Sequence, residues 1–141
     1  MRIVGGKHRG RRLAAPSTRG LRPTADRTRQ ALFNILEHGI DGFDVDGTSV
    51  IDVFAGTGAL GLEALSRGAA HVTFIDNSGD ALAIIRKNAT TIGEAANITL
   101  LTLDATRLPP PPLAAQAPAG LAFLDPPYGS DLASVTLKVL S

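Results

Sequence analysis

The apolar run Val50-Ile51-Asp52-Val53-Phe54 passes directly into Ala55-Gly56-Thr57-Gly58-Ala59-Leu60-Gly61, and then into a helical stretch from Leu60 to Arg67 closed by Gly68. The run is too short for a helix and reads as a buried strand. Glycines at 56, 58 and 61 meet the G-x-G-x-x-G spacing between strand and helix, where they permit a tight turn and let a ligand approach the backbone closely. A buried strand entering such a turn commits the chain to parallel pairing through helical crossovers.

The flanking segments repeat the alternation. Ala70 to Ile75 predicts a second strand ending at Asp76. Ser78 to Thr91 has helical spacing through Ala81, Leu82, Ile85 and Ala89, and Asn97 to Leu103 predicts a third strand ending at Asp104. Leu108 to Gly120 holds five prolines, four of them consecutive, and reads as a polyproline-like surface connector. Leu121 to Leu124 predicts a fourth strand, and Leu132 to Leu140 the start of another helix. Upstream, Thr24 is the expected N-cap of a helix from Ala25 to His38, stopped by Gly39, and Asp41 to Gly47 is a polar loop. The expected fold is α/β, an open, mostly parallel sheet with flanking helices, whose ligands bind beyond the carboxyl ends of the strands.

Charge is distributed unevenly. Residues 1–30 carry nine arginines and lysines against Asp26 alone, while the rest of the chain holds five basic and twelve acidic groups. A basic arm on a mildly acidic body points to a polyanion, because arginine contacts to phosphate supply most non-specific nucleic-acid affinity. Arg9, Arg11 and Arg12, interleaved with Gly5, Gly6 and Gly10, fit a strand or loop lying along a phosphate backbone. The domain division expected is 1–22 for the arm and 23–141 for the body. Without cysteine, disulfides and thiolate–metal sites are excluded and a cytoplasmic setting is expected. No apolar run suits a bilayer span, and His8, His38 and His71 lack the spacing of metal ligands. No metal, no membrane and a monomeric state are therefore expected.

At the strand ends the chemistry becomes specific. Asp76 can accept hydrogen bonds from two ribose hydroxyls, so a nucleoside-containing cofactor is implied, either NAD or S-adenosylmethionine (SAM). Asp104 with the Ala105 N–H could read an adenine edge, although a strand-ending Asx-turn would also explain the acid. After the fourth strand stands Asp125-Pro126-Pro127-Tyr128. Proline fixes its own φ and biases the preceding residue towards extended backbone, which stiffens Asp125 and Pro126. The Asp125 carboxylate and the Pro126 carbonyl can accept from an amino group, and the Tyr128 ring can stack on a flat base. A simple proline turn is the plainer alternative.

The series Asp52-x-Phe54-x-Gly56-x-Gly58 resembles the first motif of class I methyltransferases, in which the acid organises the loop beneath the methionine part of SAM. The Asp-Pro-Pro-Tyr, together with Arg22-Pro-Thr-Ala-Asp-Arg27, Gln30 to Leu36 and the run from Asp52 to Gly68, resembles the RsmD-type 16S rRNA (guanine-N2) methyltransferases. That resemblance implies a Rossmann-like class I methyltransferase fold with the last strands missing, including the usual antiparallel hairpin. It implies SAM bound by Asp52, Phe54, Ala55, Gly56, Thr57, Gly58, Asp76, Asp104 and Ala105, and small-subunit ribosomal RNA as substrate. Asp125, Pro126, Pro127 and Tyr128 would then be the catalytic motif. Arg22, Thr24 and Arg27 are placed near the substrate or SAM by resemblance alone. Asp76 stands where this family often has Glu. A DNA adenine-N6 methyltransferase, an NAD-dependent oxidoreductase and a catalytically silent RNA-binding fragment are the alternatives that the residues leave open.

Overall fold

The structure, a computed structural model, describes residues 1–14, 23–53, 55–103, 120–124 and 136–139, with the backbone alone at 23–25 and 136–139. Its strands are β1 (Ser49–Val53), β2 (His71–Asp76), β3 (Ile98–Thr102), β4 (Leu121–Leu124) and β5 (Thr136–Val139), joined in one sheet in the order β3-β2-β1-β4-β5. The first four are parallel, and β5 is antiparallel to β4. The described helices are α1 (Pro23–His38), α2 (Ala59–Ser66) and α3 (Gly79–Thr91). None of them is long and apolar enough to cross a membrane.

Register decides which side chains share a face. Val50 lies between Val72 and Leu121, and Asp52 between Phe74 and Phe123; Val72 and Phe74 in turn pair with Ile98 and Leu100. These positions therefore point to one side, and α1, α2 and α3 cover it. The Phe33 ring of α1 sits 5.8 Å from Phe123. A Cβ added to Gly61 of α2 would stand 2.3 Å from the Phe74 ring, so only glycine lets this helix lie so close to the sheet. Ile85 of α3, Leu62 and Leu65 of α2, Leu36 of α1 and the sheet side chains form one buried cluster, which Ile3 and Leu13 of the N-terminal segment also join. Each such side chain contributes about 1.5–3 kcal/mol when fully withdrawn from water.

Two expectations fail. Leu132 to Leu140 does not begin a helix across 136–139: Thr136 to Val139 is a strand paired antiparallel with β4. A helix is the sequence expectation there. However, the free edge of β4 offers a row of backbone donors and acceptors, and pairing with it outweighs local preference. The second failure is at α1, which starts at Pro23, so Thr24 is inside the first turn and is not the N-cap. Proline suits that first position because its φ is already helical and its missing N–H would have had no helical partner. Gly39 does end the helix, its N–H donating to the Ile35 carbonyl at 2.8 Å.

Candidate functional site

Strand order makes the crevice. The chain moves outward from β1 to β2 to β3 and then returns to the other side of β1 as β4, so the direction of winding reverses between β1 and β4. Ligands in open α/β sheets sit beyond the carboxyl ends at such a reversal. Val53 pairs with Leu124, so β1 and β4 end side by side there.

The loop leaving β1 is held from three directions. Ala55 N–H donates to the Ile75 carbonyl at 2.9 Å, fastening the loop to the end of β2, and Gly58 N–H closes a turn on the Ala55 carbonyl at 2.8 Å. Gly56 and Gly58 both have positive φ, 56° and 76°, a conformation that side chains disfavour. At Gly58 a Cβ would also meet Ile85 Cγ1 at 2.7 Å. Asp76, at the end of β2, reaches back with Oδ2 to accept from Gly56 N–H at 2.8 Å, while its Oδ1 accepts from Ser78 N–H at 2.9 Å. Each carboxylate oxygen has two acceptor positions, so both retain one for an incoming hydroxyl.

Asp52 is buried at 1% exposure in β1, on the helix-covered face, and its Oδ2 accepts from Gly61 N–H at 3.0 Å. Gly58, the N-cap of α2, has no side chain to satisfy the first turn. Asp52 does so from the neighbouring strand, placing negative charge at the positive end of the helix. Loop, helix start and β1 are thereby fixed as one unit. The Thr57 hydroxyl adds a longer contact to Ala59 N–H at 3.4 Å.

The structure thus brings Asp52, Ala55, Gly56, Thr57, Gly58 and Asp76 together. Phe54, Asp104, Ala105, Asp125, Pro126, Pro127, Tyr128 and Arg22 lie outside the described residues, as does the Thr24 side chain. Arg9, Arg11, Arg12 and Arg27 are exposed and not gathered at this loop. Arg11 instead donates to the Thr91 carbonyl at the end of α3, at 2.7 Å.

A second set of residues was not anticipated. The carboxylate of Glu63, 1% exposed, accepts from Val4 N–H (3.0 Å), Gly5 N–H (2.9 Å), Arg29 Nε (3.3 Å) and Arg67 Nε (2.9 Å). Ser66 Oγ donates to the Gly5 carbonyl and accepts from His8 N–H, and the Ser66 carbonyl takes Lys7 N–H. Asn88 of α3 exchanges both amide hydrogen bonds with the Ala14 backbone at 2.8 Å. Glu94 accepts from Lys7 Nζ at 2.9 Å and lies 2.7 Å from His8 Nε2. Burial pushes the Glu94 carboxyl up, but the hydrogen bonds from His8, Lys7 and Asn97 and the Lys7 charge outweigh it and hold the group below its usual value. Gly5 and Gly6 accordingly approach this chain's own helix: a Cβ on Gly6 would stand 2.1 Å from the Ser66 carbonyl oxygen. A glutamate in the otherwise apolar Leu60 to Leu65 stretch was the available signal. His71 is buried against Thr99 and pushed down by that burial, His8 contacts the Glu94 carboxylate, and among the described residues no three His, Asp or Glu side chains gather into a metal-holding group.

Residues 1–141 match the family described as Conserved hypothetical protein 95. The chain is 41% identical over 141 residues to Ribosomal RNA small subunit methyltransferase D of Escherichia coli K12, covering 99% of itself and 66% of that protein. It is 36% identical to the protein of the same name from Haemophilus influenzae, covering 99% of itself and 70% of the relative. Among solved structures, yhhF of Escherichia coli superposes with a TM-score of 0.62 at 38% identity, over 74% of this chain and 53% of that one. A hypothetical protein of Thermus thermophilus gives 0.59 at 31% identity, over 73% and 55%. The chain thus spans about two thirds of the length of the Escherichia coli relative it matches.

Proposed function

The chain belongs to the family described as Conserved hypothetical protein 95 and has a Rossmann-like class I methyltransferase fold, and from that premise we propose that it transfers a methyl group from SAM to an exocyclic amino group, guanine N2 of 16S rRNA. Asp76, folded back onto Gly56 beside the paired ends of β1 and β4, carries this reading. The curated relatives' names, which specify small-subunit ribosomal RNA, support the substrate class.

The residues present fit the cofactor. Asp76 keeps acceptor capacity on both oxygens for a ribose diol, and Gly56 is exposed at positive φ, a backbone conformation that side chains disfavour. Ala55 to Gly58 with Phe54 would hold the methionine and ribose portions, Asp52 keeping that loop in place through Gly61. Asp104 and the Ala105 N–H would take the adenine. SAM supplies an electrophilic methyl on a sulfonium.

The chain's own task is to make a poor nucleophile usable. An exocyclic nitrogen delocalises its lone pair into the ring, and hydrogen bonds from its N–H groups to Asp125 and the Pro126 carbonyl favour a pyramidal nitrogen with an available pair. Pro127 stiffens the motif, and Tyr128 stacks on a base turned out of its helix. Arg22, the last residue of the 1–22 arm, and Thr24 and Arg27, at the start of the 23–141 domain, hold nearby phosphates, and the arm extends the contact through Arg9, Arg11 and Arg12.

Transfer of labelled methyl from SAM to protein-free small-subunit rRNA, to assembled small subunits and to DNA tests the assignment. Label should enter one of the RNA substrates and not DNA, and Asp125→Ala should lower the rate at least a hundredfold while SAM still binds, an effect of about 3 kcal/mol on the barrier. Equal turnover by that variant would sink the role of Asp125.

A further inference from the structure

Residues 1–14 of the basic arm and the glycine loop with Asp76 lie at opposite ends of the sheet. α2 and α3 each start at the carboxyl ends of the strands and run back to the amino ends, as crossover helices must. The arm is fastened where these helices finish. Lys7 and His8 N–H bond to Ser66, the last residue of α2, and Arg11 to Thr91, the last of α3; Lys7 also pairs with Glu94, just beyond. The neighbouring backbone confirms the level: Gly47 N–H donates to the Gly68 carbonyl and Ala70 N–H to the Thr48 carbonyl, immediately before β1 and β2 begin. Asp76 and Ser78 stand at the start of α3. Its 13 residues put about 20 Å between them and Arg11.

The arm itself is built to stay there. Ile3 N–H bonds to the Arg11 carbonyl, Gly10 N–H to the Ile3 carbonyl and Leu13 N–H to the Met1 carbonyl, closing a hairpin through an antiparallel bridge between Arg2 and Arg12. Ile3 and Leu13 are buried, and Glu63 and Asn88 hold its two strands. Arg9, Arg11 and Arg12 are exposed and form no ion pair among the described residues. Lys87, exposed one turn before Thr91 on α3, adds a fourth cation to the last turn of the helix that Arg11 caps. Capping of the α3 carboxyl end explains Arg11 alone and leaves Arg9, Arg12 and Lys87 without a role.

Resting on the RNA-methyltransferase reading above, we infer that this cluster is a phosphate-binding exosite, separate from the nucleotide-holding crevice, which grips the same RNA at the far end of α3, about 20 Å from Asp76. The substrate is therefore an RNA long enough to reach both ends of the sheet at once. The exosite adds affinity by holding one molecule at two places.

Two RNAs carrying the same target loop test this, one a minimal hairpin shorter than the separation and one with its stem extended well beyond it. Affinities would be measured across a range of salt for the wild-type chain and for Arg9→Ala/Arg11→Ala/Arg12→Ala, with SAM binding read in the same samples. The wild type should prefer the long RNA by at least tenfold, and the triple variant should lose that preference, with a salt slope shallower by roughly two to three for the long RNA. A preference retained by the variant, or absent from the wild type, overturns the exosite. If the wild type binds no SAM, the methyltransferase reading fails, whatever the two RNAs show. Thermal unfolding of the variant at the wild-type temperature separates lost contacts from lost fold.

Discussion

The two ends of α2 are each organised by a buried carboxylate, and they work differently. At its amino end Asp52 accepts from Gly61 N–H and fastens β1 to the helix start beside the glycine loop. Toward its carboxyl end Glu63 gathers two arginines and two backbone N–H groups and binds the N-terminal segment to the body. The first acid acts on its immediate sequence neighbourhood. The second acts across 59 residues, from Glu63 to Val4. The amino end is therefore tied to its own loop and strand, and the carboxyl end to a distant segment of the chain.

Glu63→Ala should break that comparison most severely. It leaves Arg29 and Arg67, both nearly buried, without their shared partner, and the expected loss is about 3–5 kcal/mol in urea unfolding. If the variant unfolds within about 1 kcal/mol of the wild type, the arm is held by apolar burial of Ile3 and Leu13 instead.

Gly61→Ala tests the other end. The methyl would press into the Phe74 ring and Val72, with overpacking of about 1–3 kcal/mol set against about 1 kcal/mol of helix propensity gained. A modest net loss of stability accompanied by weaker cofactor binding is expected, because the helix start and the loop move together. Weaker stability with unchanged cofactor affinity would show that loop and helix are uncoupled.

The contrast between the ends also explains what the sequence makes legible. The glycine loop, Asp52, Asp76 and the parallel strands are readable because each depends on spacing within one strand–turn–helix unit. Glu63, Ser66 and Asn88 hold partners 58 to 74 residues away, and nothing local to α2 or α3 names those partners. Gly5 and Gly6 did announce a close approach, but to the chain's own Ser66 and Arg67. At Thr136 to Val139 a helix was expected, and an available strand edge decided otherwise.

The smallest expected effect concerns pH. Glu94 is held below the usual carboxylate value of 4.5, so its contribution is complete above that value and is lost as pH falls through the folded-state pKa. Wild type and Glu94→Gln should therefore differ in melting temperature near neutral pH and converge in acid below about 4.5. A difference that stays constant down to acid would mean that the tie to Lys7 and His8 does not depend on the carboxylate charge.

Calorimetric titration of the full chain with SAM, and in parallel with NAD, tests the central claim directly. The glycine loop and Asp76 predict saturable one-to-one binding of SAM, weakened at least tenfold by Asp76→Ala, and no heat from NAD. Binding of NAD in preference to SAM, or no binding of SAM at all, would contradict the account.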